Sequence, residues 1–266
     1  MASGIDGKLA LITGANRGIG IEVCRQLAQA GARVLLASRD PVKGDQAAAI
    51  LRKDGHTVSP VTLNVADAGS IAALAQRIER EFGRLDILVN NAGISMDGVD
   101  ADVARQTLAT NFFGVVAVID ALTPLMEPNG RIVMVSSAMG QLSAFAKPMR
   151  DRLLDPALTR NALIALMELF VKETRSRTNE KHGWPRSAYR VSKAGLNAFT
   201  RILARDPAFA QMRINAVSPG WARTDMGGRG APRSAEVGAA SVVWAALLPP
   251  AGPTGGFFQD GEPLEW

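Results

Sequence analysis

Cysteine is almost missing from this chain, which has Cys24 and no other. No disulfide can form within the molecule, and in the apolar pattern IEVCRQLAQA the residue reads as a small buried side chain. Histidine is nearly as scarce. His56 and His182 are the only two, neither stands in a metal-ligand spacing, and no metal is expected. Phe, Trp and Tyr together supply 5% of the residues, too few to suggest stacking on bases. The net charge of +5 raises the idea of a basic face, but the cations lie among acids in RKDGH, RIEREFGR and VKETRSR. That pattern reads as solvated surface rather than as a nucleic-acid interface. The chain lacks an uncharged apolar run of about eighteen residues, and MASGIDGKLA lacks a signal core, so a cytoplasmic protein with no membrane partner is expected. Repeats, low-complexity tracts and linkers are missing too, so residues 1–266 are expected to form a single domain.

What is present is an ordinary globular composition, 47% hydrophobic and 21% charged, arranged as an alternation of strands and helices. KLALIT, ARVLLAS, HTVSPVTL, LDILVN, GRIVMVSS and MRINAVS read as strands, and FFQ near the end supplies a short seventh. Residues 18–30, 42–54, 69–82, 101–124, 187–205 and 234–247 read as helices. Strands that are apolar along nearly their whole length suit a parallel sheet covered on both faces. The expected fold is α/β: a doubly wound, mostly parallel seven-stranded sheet of the Rossmann type. One segment breaks the rhythm. Residues 138–186 stand where a short connection would serve, and within them Leu163, Leu166, Met167 and Phe170 recur at helical spacing, predicting a helical insertion with one face packed on the body.

KLALITGANRGIGIEVCRQLAQAGA reads as strand, glycine turn and helix. Gly14 lets the chain turn sharply, Gly18 lets backbone approach a diphosphate, and Gly20 lets the helix pack on the strand. The helix N-terminus then offers N–H groups and a positive dipole end to phosphates.

TGANRGIG, NNAG at 90–93, Asn111 in LATNFFG, Ser137 in IVMVSSAMG, YxxxK at 189–193 and PG at 219–220 come in the order of the short-chain dehydrogenase/reductase family, which this chain resembles over nearly its whole length. NFFG, the long insertion, GWPRSAY, PGWARTDM and ALLPP resemble the monomeric carbonyl reductases within that family. The resemblance implies that Asn16, Ile19, Asn90, Ala92, Gly93, Pro219, Gly220, Trp221 and Thr224 line the nucleotide, with Asn64 and Val65 at the adenine. It also implies a substrate pocket with Ser137, Met139, Trp221 and Met226, with simple packing as the lesser alternative for Trp221.

NAD-selective folds usually end the second strand on an acid that holds the ribose hydroxyls. Here Ser38 stands at that place, followed by Arg39, and Arg17 lies in the glycine turn, so two guanidiniums could clasp a 2′-phosphate. NADP(H) is the expected cofactor.

Tyr189 is the only tyrosine. Four positions from Lys193 on a helix, it shares a face with that ammonium, which would lower the phenol's pKa toward neutrality. The mechanism that the resemblance implies is hydride transfer to a carbonyl carbon while Tyr189 gives its proton to the oxygen. Ser137 then bonds the oxygen, Lys193 holds the nicotinamide ribose and Asn111 positions a water. The expected activity is NADPH-dependent reduction of a ketone, aldehyde or quinone by a monomer. An NADP-dependent alcohol dehydrogenase working in the oxidising direction and a catalytically silent nucleotide-binding protein are the alternatives.

Overall fold

The protein is described from a computed structural model covering residues 5–96 and 98–266. Its sheet has the strand order β3-β2-β1-β4-β5-β6-β7-β8, with β1 Leu9–Ile12, β2 Arg33–Ser38, β3 Val58–Thr62, β4 Leu85–Asn90, β5 Met126–Val135, β6 Arg213–Val217 and β7 Phe257–Gln259 all parallel. An eighth strand, β8 Glu262–Pro263, pairs antiparallel with β7. The expected seven strands become eight because the turn after FFQ folds a two-residue hairpin arm back onto it. The order reverses between β1 and β4, and a ligand crevice opens outside the carboxyl ends of those two strands.

Helices α1 Gly18–Gln29, α2 Pro41–Lys53 and α9 Ala235–Ala246 close one face. On the other lie α3 Ala68–Phe82, α4 Ala101–Leu108, α5 Gly114–Leu122 and α8 Ala188–Arg205. Side-chain caps fix the starts of most of them: Asp40 accepts from the Lys43 N–H, Asp67 from Gly69 and Ser70, and Ser187 from Arg190.

The stretch Ala101–Leu125 is long and apolar enough to pass as a membrane span by length and composition alone. Here it packs as a core helix against α3, α8 and the insertion helix Arg160–Ser176. Its middle is a π-turn, Ala109–Phe113, whose wider winding re-aims Asn111 inward.

The insertion forms α6 Lys147–Leu154 and α7 Arg160–Ser176. Leu163, Leu166, Met167 and Phe170 are all buried, as their spacing predicts. They lie against α4 and α8. A side chain added at Gly195 of α8 would come within 2.7 Å of Met167 Sδ, so that glycine is what lets α7 approach. Burying four such side chains contributes on the order of 6–12 kcal/mol before entropy is counted.

Candidate active site

The glycine turn sits at the switch point of the sheet. Gly14, at φ +62°, lies so close to the turn after β4 that a Cβ on it would stand 2.8 Å from Ala92 Cα. Gly20 is packed as tightly, with the Asn91 side chain 2.6 Å and Ala15 Cα 2.7 Å from where its Cβ would be. Asn91 and Thr13 stitch the two turns together. The Asn91 amide donates to the Thr13 and Gly14 carbonyls at 2.8 and 3.1 Å, and Thr13 Oγ1 accepts from the Asn91 and Ala92 N–H groups at 3.0 and 2.9 Å. Gly18 is also left-handed, φ +57°, and opens α1. The cap residue Arg17 gives that first turn no side-chain acceptor, which leaves its N–H groups to an anion. Ile19 packs under α9, where its Cδ1 would meet a Cβ on Gly238 at 2.7 Å. Asn90, by contrast, points into the core, its amide on Met134 Sδ at 3.6 Å.

Beyond the turn lies a cleft of about 430 Å³ lined by Asn16, Arg17, Ser38, Arg39 and Lys43. Arg39 is exposed, and Lys43 adds a third cation that spacing alone had not singled out. Ser38 is buried, its hydroxyl on the Asp40 carbonyl at 2.8 Å. Asp40 also lines this cleft, but its carboxylate caps α2 and lies 3.7 Å from Lys43 Nζ. A glycine cradle with a cation-lined end fits a dinucleotide bearing a 2′-phosphate. At the expected adenine end, Asn64 Oδ1 closes a local turn on the Ala66 N–H, and Val65 is buried against the start of α5.

Asn111, Ser137, Tyr189 and Lys193 converge at the carboxyl end of β5. Ser137 follows that strand; its Oγ accepts from the Met139 N–H at 3.1 Å, and its hydroxyl lies near enough to the Tyr189 phenol to favour the phenolate. Gly140 makes this possible, since any side chain there would lie 2.8 Å from the Lys193 backbone. Lys193 is buried, donates to the Val135 carbonyl at 2.7 Å and lies 5.6 Å from the centre of the Tyr189 ring.

The titration of the pair differs from the expectation. Burial raises the Tyr189 phenol above its ordinary value, only the nearby Ser137 hydroxyl opposing it. The same burial lowers the Lys193 ammonium to about 8. The lysine spends its charge on a carbonyl rather than on the phenol. Between pH 8 and the ordinary lysine value of 10.5 the unfolded chain therefore binds more protons at this site, and Lys193 makes stability rise with pH. In the unliganded protein, Lys193→Met should exceed wild type in urea-unfolding stability below pH 8, with the gap closing toward pH 10. A gap independent of pH would contradict the burial.

Asn111 is fully buried, and its side chain is already engaged. Oδ1 accepts from the Ile94 N–H at 2.8 Å, while Nδ2 donates to the Ile94 carbonyl at 2.9 Å and to Ser192 Oγ at 3.1 Å. Both amide hydrogens are used, and Oδ1 keeps a second acceptor site. Gly93 stands beside it, its missing Cβ 3.4 Å from Asn111 Oδ1 and 3.8 Å from Lys193 Nζ.

The rim is apolar. Trp221 and Met226, on the loop after Pro219 and Gly220, are 61% and 52% exposed, and Met139, on the loop after β5, is 41% exposed. Met96, after β4, is 38% exposed. Thr224 of the same loop touches the glycine turn, its Cγ2 3.2 Å from where a Cβ on Gly18 would stand. Of the remaining scarce residues, Cys24 is fully buried, with its thiol pushed up by burial. His182 pairs with an acid of the insertion. Its Nδ1 meets Glu173 Oε1 at 2.6 Å while Trp184 Nε1 donates to Oε2 at 2.9 Å, tying the end of the insertion to α7.

The sequence matches the short chain dehydrogenase family over residues 8–149 and the enoyl-(acyl carrier protein) reductase family over 173–248. Human carbonyl reductase (NADPH) 1 is 38% identical over 279 aligned positions that cover all of both chains. Among solved structures, salutaridine reductase from Papaver somniferum superposes with a TM-score of 0.88 at 34% identity, covering 95% of this chain and 99% of that one. Menthone neomenthol reductase from Mentha piperita gives 0.85 at 34% identity, covering 96% and 99%.

Proposed function

The chain belongs to the short-chain dehydrogenase family, and we propose that within it the protein is an NADPH-dependent carbonyl reductase. The observation that carries this reading is the meeting of the Ser137 and Tyr189 hydroxyls at the mouth of the crevice, beside the buried Lys193 and next to a glycine cradle that ends in cations. When bound, NADPH supplies the hydride that the carbonyl carbon accepts. The chain's own residues do the rest. Gly14, Gly18 and the open first turn of α1 seat the diphosphate, and Arg17, Arg39 and Lys43 face the 2′-phosphate. Ser137, oriented by the Met139 N–H, bonds the carbonyl oxygen and stabilises the charge that gathers there. Tyr189 delivers the proton to that oxygen. Its raised pKa keeps the phenol protonated at neutral pH, the form that a reduction needs. Lys193 holds its ammonium at the end of β5, within reach of the ribose side of the site. The apolar rim of Met139, Trp221 and Met226 suits a substrate with hydrophobic bulk. Incubation with NADPH and a series of aryl ketones, aldehydes and quinones should consume the cofactor and yield the corresponding alcohol or hydroquinone. Failure across the whole series would contradict the reading.

The protein acts as one domain and as a monomer in this reading. The contact of α7 with α4 and α8 supports it, because a partner subunit would need the surface that the insertion covers. Light scattering at micromolar concentration should give a mass near 28.1 kDa, and a stable dimer or tetramer would overturn it.

A further inference from the structure

Arg17 already has an anionic partner. Its guanidinium is paired with the Asp225 carboxylate, whereas Arg39, in the same cleft, has no carboxylate partner among the described residues. Asp225 sits on the loop that follows β6, and that loop is braced by its own bonds. Thr224 Oγ1 accepts from the Gly227 N–H at 3.0 Å, Trp221 Nε1 donates to the Gly227 carbonyl at 2.8 Å, and Arg223 donates to the carbonyls of Ala231 and Pro232. The loop also rests on the glycine turn through Thr224. The cation expected to meet a cofactor phosphate is therefore held by the loop that borders the substrate mouth.

We propose that Asp225 is a specificity-determining residue. It competes with the cofactor's 2′-phosphate for the Arg17 guanidinium, and so sets how strongly a phosphate-bearing nucleotide is preferred. The inference rests on the NADPH reading above. Both side chains of the pair are open to solvent, at 70% and 72% exposure, so screening leaves the pair weak enough to be exchanged. A phosphate of nearly two negative charges and three acceptor oxygens outbids a single carboxylate. A nucleotide without that group has nothing to offer Arg17, and the pair stays closed. The competition is reciprocal, so binding the phosphate also releases the Asp225 carboxylate from Arg17, while Thr224 keeps the loop on the glycine turn.

Isothermal titration of the full chain with 2′,5′-ADP and with 5′-AMP tests this. Asp225→Asn should bind 2′,5′-ADP about two- to fivefold more tightly than wild type and 5′-AMP equally. In an Arg17→Gln background, Asp225→Asn should change neither affinity, because the shared partner is gone. Unchanged 2′,5′-ADP affinity in Asp225→Asn overturns the competition, as does an equal gain in the Arg17→Gln background, which would mark a general charge effect. If wild type binds 5′-AMP as tightly as 2′,5′-ADP, the NADPH reading falls together with the proposal. A wild-type preference for 2′,5′-ADP with a silent Asp225→Asn removes the proposal alone.

Discussion

Tyr189→Phe should lower turnover by at least about a hundredfold, the usual contribution of a positioned general acid, while nucleotide affinity stays close to that of wild type. The substitution deletes one oxygen and keeps the ring, so the packing of α8 is unchanged. Loss of the phenol's polar contact costs about 1 kcal/mol of stability at most, which leaves the variant folded. No other tyrosine exists to take over. Lys193 could offer a proton only from its place on the Val135 carbonyl. Steady-state rates at saturating NADPH and ketone, with nucleotide binding measured separately, separate chemistry from binding. A variant that keeps most of its rate would mean that the proton comes from elsewhere.

NADPH should be preferred over NADH by roughly ten- to several hundredfold in kcat/KM, from charge-assisted hydrogen bonds of about 1.5–3 kcal/mol each. Arg39→Ala is the clean probe of that preference. Arg39 is exposed, its removal disturbs no core, and it should lose about ten- to a hundredfold with NADPH while NADH is little affected. Introducing an acid at Ser38 is a poorer probe, because that residue is buried and packed on Gly44, whose Cβ would lie 3.1 Å from Ser38 Cβ. Equal use of the two cofactors by wild type would contradict the role of the cationic cleft.

Much of this architecture is legible in sequence because its signals are local. The apolar runs of β1, β2 and β4, the helical spacing of Leu163, Leu166, Met167 and Phe170, and the order of the glycine turn each depend on residues within a few positions of one another. What is not legible depends on distant partners. Thr13 and Asn91 form one unit across 78 positions, and Arg17 meets Asp225 across 208. Neither pair leaves a spacing to read. The titration of Tyr189 and Lys193 is hidden from the sequence for the same reason. Four-residue spacing puts the two on one face, but depth of burial and the Val135 carbonyl, set by tertiary packing, decide where each charge resides. Asn111 was recognised by position, yet the π-turn and the Ile94 backbone that occupy its amide are not written in LATNFFG. The Glu173 carboxylate shared by His182 and Trp184 was missed because an acid in a helix that reads as amphipathic is normally solvent-facing.

The central claim, that this chain moves a hydride from NADPH to a carbonyl carbon, is tested most directly by reacting an aryl ketone with NADPH deuterated at the transferring face of its C4. The alcohol should carry one deuterium on its carbinol carbon for each cofactor oxidised. Oxidation of the cofactor without deuterium in the alcohol, or no alcohol at all, would contradict it.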